Sequence, residues 1–193
     1  MSEFRKLSER LIHRGHTITL AIGHFIDPDG EGHDREVVHH PGAVGVVALL
    51  DDKKTVLLVR QYRSALEGDL LEIPAGKRDV EGEDPEITAA RELEEEIGYK
   101  PGRLIKLAEF YTSPGFCDER AIVYLALDLE PGQAAPAGPE EMNMTIERMS
   151  LDNFDAMVAD GSLCDSKTII GLGLARSYLA TGPTISPPTG TTL

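Results

Sequence analysis

The chain contains no tryptophan, and aromatic residues make up only 5% of it, so any stacking on a nucleobase must use Tyr, Phe or His. Cysteine occurs twice, at Cys117 and Cys164. Two thiols in a chain of this size are not a disulfide framework. No apolar run reaches the roughly 18 residues that mark a membrane-spanning helix. The opening segment MSEFRKLSER is charged and lacks the apolar core of a signal peptide, so a cytoplasmic location is expected. Cations are scarce: 19 Lys and Arg against 33 Asp and Glu leave a formal charge of −14. Such a surface repels phosphate backbones and anionic lipid, which disfavours nucleic acid and membranes as partners. An anionic substrate would need something cationic to bridge it to this protein.

What is present is a globular composition, 41% hydrophobic over 193 residues, enough for one domain with additions. Residues 1–16 are polar and of mixed charge, and are expected to form a short helix or an arm. Thr17 to Ile26 and Arg35 to His40 read as strands around the turn-rich Asp27–Asp34. Gly42 to Leu50 reads as a buried strand, paired with Thr55 to Gln61 across the Asp51–Lys54 turn. Leu70 to Ile73 is a brief strand stopped by Pro74, and Gly76 to Asp84 is a charged loop. Asp84 before Pro85 is a helix start, with Gly98 as its stop. Strands are expected at Leu104–Phe110, Ala121–Leu129 and Met144–Met149. Helices are expected at Asp152–Ala159 and Ser166–Ala180. The loop Gln133–Pro139 is taken as flexible. The order, strands then helix, strands and helices, is that of an α/β (α+β) domain with a mixed sheet.

The segment Arg91-Glu92-Leu93-Glu94-Glu95-Glu96-Ile97-Gly98 is the informative one. At roughly 100° per residue, Glu92, Glu95 and Glu96 share one side of the helix. Ala90, Leu93 and Ile97 form an apolar face, and Glu94 points to solvent. Like charges at i,i+4 destabilise a helix, and anions in its last turn oppose the macrodipole. A bound hard cation such as Mg²⁺ or Mn²⁺ would resolve the conflict.

With Glu83 separated from Arg91 by seven residues, the segment resembles the signature of the Nudix hydrolase family: Gly, a spacer, Glu, seven residues, then Arg-Glu-apolar-x-Glu-Glu-x-Gly. The first spacer, Gly76 to Glu83, holds six residues where the family has five, which reads as a one-residue loop insertion at Gly82. The resemblance implies an α/β/α sandwich around a mixed sheet. It also implies that Glu92 and Glu96 are metal ligands, with Glu95 a further ligand, direct or through water. The backbone carbonyl of Ala75 would complete the shell, and Arg91 would orient the glutamates with Glu83 as its partner.

Arg60-Gln61-Tyr62-Arg63, followed by Glu72-Ile73-Pro74-Ala75-Gly76, is similar to a pattern of the ADP-ribose pyrophosphatases. Pro114, followed by Gly115, stands sixteen residues beyond Gly98 and resembles the proline that marks the same subgroup. The resemblance implies hydrolysis of ADP-ribose to AMP and ribose 5-phosphate, using two or more Mg²⁺ ions with Mn²⁺ as a substitute. It implies a homodimer in which residues 1–41, a small β region, are exchanged between subunits. Residues 42–180 would be the hydrolase domain and 181–193 a flexible tail. Arg60 and Arg63 carry forks suited to phosphate, though surface ion pairing accounts for Arg60 equally well. Glu72 is either a structural carboxylate or a substrate ligand. The resemblance implies that a glutamate on a loop beyond the box is the general base, with Glu140 and Glu141 as candidates. The rival readings are a Nudix hydrolase of another nucleotide sugar or dinucleotide (NADH, FAD or GDP-mannose type) and a module that binds ADP-ribose without cutting it. All six histidines, His13, His16, His24, His33, His39 and His40, fall at irregular spacing in the first forty residues and read as scattered surface and interface residues. Cys117, Tyr62 and Phe116 read as packing residues.

Overall fold

The computed structural model describes residues 3–182. The chain forms two compact units, one of residues up to Gly42 together with Phe110–Arg120, the other of Ala43–Glu109 with the segment that follows from Ala121.

The first unit is built on a three-stranded antiparallel sheet, β1 (Arg5–Arg14), β2 (Thr19–Ile26) and β3 (Gly32–His39), in that order. The first of these corrects an expectation: Arg5–Arg14 is neither a helix nor an arm. It pairs with β2 along its length, from Arg5↔Ile26 to Arg14↔Thr19. All ten of its side chains are exposed, so it lacks the alternation of buried and exposed residues by which a strand is read from sequence. The histidines here are not idle. His24 pairs with Asp34 and His33 with Asp27, each at 2.8 Å. His39 places Nδ1 at 2.5 Å from Asp118 and Nε2 at 3.0 Å from Glu9. The Asp118 bond foremost, with Glu9 adding to it, raises the His39 pKa. Backbone bonds from Val38 to Phe116 and from Asp118 to Val38 stitch the loop 113–118 to β3.

The second unit holds a seven-stranded mixed sheet. Its main path runs β10 (Thr145–Ser150), β5 (Thr55–Arg63), β4 (Ala43–Leu49), β9 (Arg120–Pro131), β8 (Tyr99–Tyr111). Two short strands, β6 (Gly68–Glu72) and β7 (Ala75–Lys77), pair with β5 and β4. β7 overlaps the start of the segment expected to be loop, since Gly76 and Lys77 pair with Val44 and Ala43. The centre is a parallel pair, β4 with β9, in register from Ala43↔Ala121 to Ala48↔Ala126. All seven residues of β4 are buried, the mark of a strand covered on both faces.

Those faces are covered by two helices. On one, Val44, Val46 and Ala48 pack with Ala89, Leu93 and Ile97 of α1 (Pro85–Ile97). On the other, Val47 and Val123 lie against Gly171 of α4 (Ser166–Thr181). Alternation along the strands thus yields the helix–sheet–helix layering expected from sequence. Two smaller helices, α2 (Gly138–Met142) and α3 (Phe154–Ala159), come between α1 and α4 in the chain; a 3₁₀ turn at Leu151–Asn153 opens the segment expected as one helix from Asp152. The expected flexible tail falls almost wholly outside the described residues.

Candidate active site

The α1 helix is fixed at both ends as its sequence dictates. Asp84 Oδ1 accepts from the Glu86 amide at 2.9 Å, Pro85 opens the helix, and Gly98 closes it in the left-handed conformation with φ 72°. The apolar stripe is Ala89, Leu93 and Ile97, at four-residue spacing; Ala90, expected on it, is only half-buried. Glu94 does not merely face water, since it pairs with Lys100 at 3.3 Å and accepts from the Gln133 amide at 3.2 Å.

Anchoring that stripe on the sheet forces Glu96 inward. It is 5% exposed, and its Oε2 accepts from the Ala75 amide at 3.0 Å. Burial first of all, then the charges of Glu92 and Glu141, push its pKa up to about 8, against the opposing Ala75 bond and Arg63 charge. Burial likewise raises Glu92, with Glu95 and Glu141 adding to it while Arg91 opposes. Glu141, half-buried on α2, therefore acts on both box carboxylates; Glu140 is exposed and does not figure in either balance. The Glu141 Oε2 accepts from the Ala137 amide at 2.6 Å.

Arg91 is the hub of the cluster. Its Nη1 donates to Glu92 at 2.9 Å and Glu95 at 3.0 Å, and its Nη2 to Glu83 at 3.2 Å. These carboxylates raise the Arg91 pKa, and the Arg91 bond lowers that of Glu83. The extra loop residue does not keep Glu83 from Arg91. Gly82 takes it up at φ 77°, a left-handed position that suits glycine. Gly76 is required for a different reason: a Cβ there would stand 1.9 Å from Glu92 Cδ.

With Glu92 and Glu95 turned to Arg91, no three His, Cys, Asp or Glu side chains among the described residues are gathered tightly enough to hold a metal ion. The chemistry of the donor set nevertheless fits a hard divalent cation. The donors are carboxylate oxygens, and two of them, Glu92 and Glu96, are partly stripped of water, which raises the pKa of each. Gly76 leaves room for the Glu92 carboxylate where any side chain would collide with it.

The arginine forks are occupied. Arg63 donates through Nε and Nη2 to Glu72 at 2.6 and 2.9 Å, and Glu72 is 1% exposed. Lys167 Nζ lies 3.5 Å from the same carboxylate. Arg60 donates to Glu147 on the neighbouring β10 at 2.5 Å. Pro114 and Gly115 belong to the first unit, where with Tyr111, Phe116 and Phe25 they line a cavity of about 340 Å³. Phe116 is 59% exposed rather than packed. Sequence reasoning missed Glu147 and the trio Asp165, Lys167 and Thr168. The Asp165-Ser166-Lys167-Thr168 start of α4 is the signal that would have found the trio, as an N-cap.

A helix-flanked mixed sheet with a glutamate-rich helix on its face defines a class, and the sequence comparisons agree with it: the chain belongs to the Nudix family, whose NUDIX domain model matches residues 39–165. The chain is 39% identical over 166 residues to the ADP-ribose pyrophosphatase of Bacillus subtilis (strain 168), covering 86% of this chain and 89% of that one. It is 38% identical over 180 residues to the ADP-ribose pyrophosphatase of Mycobacterium tuberculosis (strain ATCC 25618 / H37Rv), covering 93% and 86%. It is also 38% identical over 170 residues to the methanol dehydrogenase activator of Bacillus methanolicus, covering 88% and 91%. A solved structure described as an ADP compounds hydrolase shares the fold, with a TM-score of 0.81 at 22% identity over 94% of this chain and 97% of that one. Among the described residues no helix is long and apolar enough to cross a membrane.

Proposed function

We propose that this protein hydrolyses the diphosphate of ADP-ribose to AMP and ribose 5-phosphate with the help of Mg²⁺ or Mn²⁺, in the cytoplasm and as a homodimer. The observation that carries the reading is the pair of buried carboxylates Glu92 and Glu96, each raised in pKa by burial, with the charge of Glu141 acting on both. ADP-ribose is favoured as substrate by the two ADP-ribose pyrophosphatases that match most of this chain.

Glu92, Glu95, Glu96 and the Ala75 carbonyl are the groups that would hold the ion. When bound, it supplies neutralisation of phosphoryl charge and a lowered pKa for the attacking water. The protein's own residues do the rest. Arg91 holds Glu92 and Glu95 in place. Glu141 takes the proton of the water as its oxygen bonds to phosphorus and the bridging P–O bond breaks. Arg63 turns positive charge toward the carboxylate cluster and any diphosphate drawn to it.

Glu141→Gln should lower AMP release by about a hundredfold near neutral pH, whereas Glu140→Gln should change it by less than about twofold. Full activity in Glu141→Gln would move the base elsewhere. The same assay run on GDP-mannose and NADH tests the substrate, because GDP-mannose pyrophosphatases also match this chain, at 32–35% identity. Turnover of GDP-mannose without turnover of ADP-ribose would overturn the substrate assignment.

The homodimer reading is supported by β1, a strand that exposes Leu7, Leu11 and Ile12 by 42–53%. A single chain gains nothing by holding three large aliphatic groups in water. Light scattering should return a mass of two chains, and Leu7→Lys with Leu11→Lys should reduce it to one. A wild-type mass of one chain would refute the dimer.

A further inference from the structure

The first turn of α4 carries a buried polar network that the reaction, as described, does not use. Asp165 caps the helix through Oδ2, which accepts from the Thr168 amide at 2.8 Å and the Thr168 hydroxyl at 2.7 Å. The Thr168 hydroxyl, fully buried, in turn accepts from the Ile73 amide at 2.9 Å. Lys167 donates to Asp165 Oδ1 at 2.8 Å and stands 3.5 Å from Glu72 Oε2. Glu72 holds the fork of Arg63. Two residues beyond Ile73, the Ala75 amide bonds Glu96. The segment from Glu72 to Ala75 is therefore gripped by α4 on one side and by α1 on the other.

Local helix energetics do not ask for a lysine at this place. The first turn of a helix presents its positive pole, which favours anions and disfavours cations. Lys167 sits there nonetheless, its side chain only 17% exposed, between two buried carboxylates. Glu72 and Asp165 carry two negative charges, and Arg63 and Lys167 balance them. Without Lys167, Glu72 would claim the whole charge of Arg63, and the group beside the carboxylate cluster would turn net negative.

We propose that Lys167 is a positioning residue for the hydrolysis: by sharing Glu72 with Arg63, it leaves the charge of Arg63 available to the diphosphate, and it fixes the Glu72–Ala75 segment to α4. This rests on the hydrolysis assigned above. Lys167 touches no substrate; it acts through Glu72 and Arg63.

Steady-state kinetics on ADP-ribose at saturating Mg²⁺, with thermal melting of the same proteins, test it. Lys167→Met and Lys167→Gln should raise KM about tenfold while kcat stays within about twofold, and Lys167→Arg should restore KM to within about threefold of wild type. A merely structural lysine would give a different pattern, with lower melting temperature and lower kcat from lost active protein at an unchanged KM, and that pattern would overturn the proposal. So would an Arg variant no better than Gln. If Lys167→Met fails to fold, the comparison of Gln with Arg decides alone. Wild-type protein that does not cleave ADP-ribose would overturn the assigned hydrolysis and this proposal with it; wild-type cleavage with unaltered KM in the variants would overturn this proposal only.

Discussion

Glu96→Gln should yield a folded protein that no longer releases AMP from ADP-ribose and that, freed of divalent cations, melts at a higher temperature than wild type at pH 8. The two effects have one cause. The sheet-facing stripe of α1 drives a carboxylate into a place where it is 5% exposed, next to Glu92 and Glu141. Its pKa in the folded protein rises from the ordinary 4.5 to about 8. A raised pKa on an acid means that the folded state holds the proton more tightly than the unfolded one. The associated stability is complete below pH 4.5 and drains away as pH climbs to about 8. Glutamine cannot ionise, so the variant escapes that loss, and its side-chain oxygen still accepts from the Ala75 amide. The two proteins should melt alike near pH 4 and diverge with rising pH. Activity should fall by on the order of a thousandfold, because a neutral amide is a poor partner for the cation that neutralises phosphoryl charge. Melting curves across pH in chelator, paired with an AMP assay in Mg²⁺, check both arms. Near-wild-type turnover would remove Glu96 from the site, and a variant less stable at pH 8 would contradict the burial argument.

Gly76→Ala should cost about a hundredfold in kcat with little change in melting temperature. The added methyl would lie 1.9 Å from Glu92 Cδ and 2.2 Å from its Oε2. The backbone cannot yield easily, since Gly76 is paired with Val44 of the fully buried β4. The side chain of Glu92 is the movable part, and swinging it away breaks its 2.9 Å bond to Arg91. Stability changes little because the displaced atoms are the end of a flexible chain. Catalysis suffers because a carboxylate moved by an ångström no longer meets the others. Unimpaired kcat in this variant would show that Glu92 has no fixed duty.

The parts of this molecule that sequence reveals are those whose causes are local. The α1 helix is readable because Asp84, Pro85 and Gly98 cap it and because its apolar residues recur every fourth place. Its carboxylates are readable because their spacing defies helix electrostatics. β4 is readable because seven buried residues in a row leave it no other use. The elements that escape depend on distant partners. Arg5–Arg14 has no apolar alternation, and only the neighbouring β2 makes it a strand. Ala75–Lys77 is a strand because Val44 lies beside Gly76. The partner of Arg60 is set by the register Thr145↔Arg60, which brings Glu147 alongside, and no feature of either segment announces that pairing. Glu140 and Glu141 look equivalent in sequence, and only the path of α2 separates them. Lys167 is silent in the sequence because its meaning lies in Glu72, almost a hundred residues earlier in the chain.

The parallel pairing of β4 with β9 has a consequence for biosynthesis. A ribosome delivers Val44 to Leu49 long before it delivers Ala121 to Ala126, and α4, which roofs the second face, comes later still. Until then the most apolar strand of the nascent chain lacks its central neighbour. Folding must wait for a late segment to close an early one, a non-local order that slows assembly and leaves the unfinished polypeptide in need of protection from its own kind.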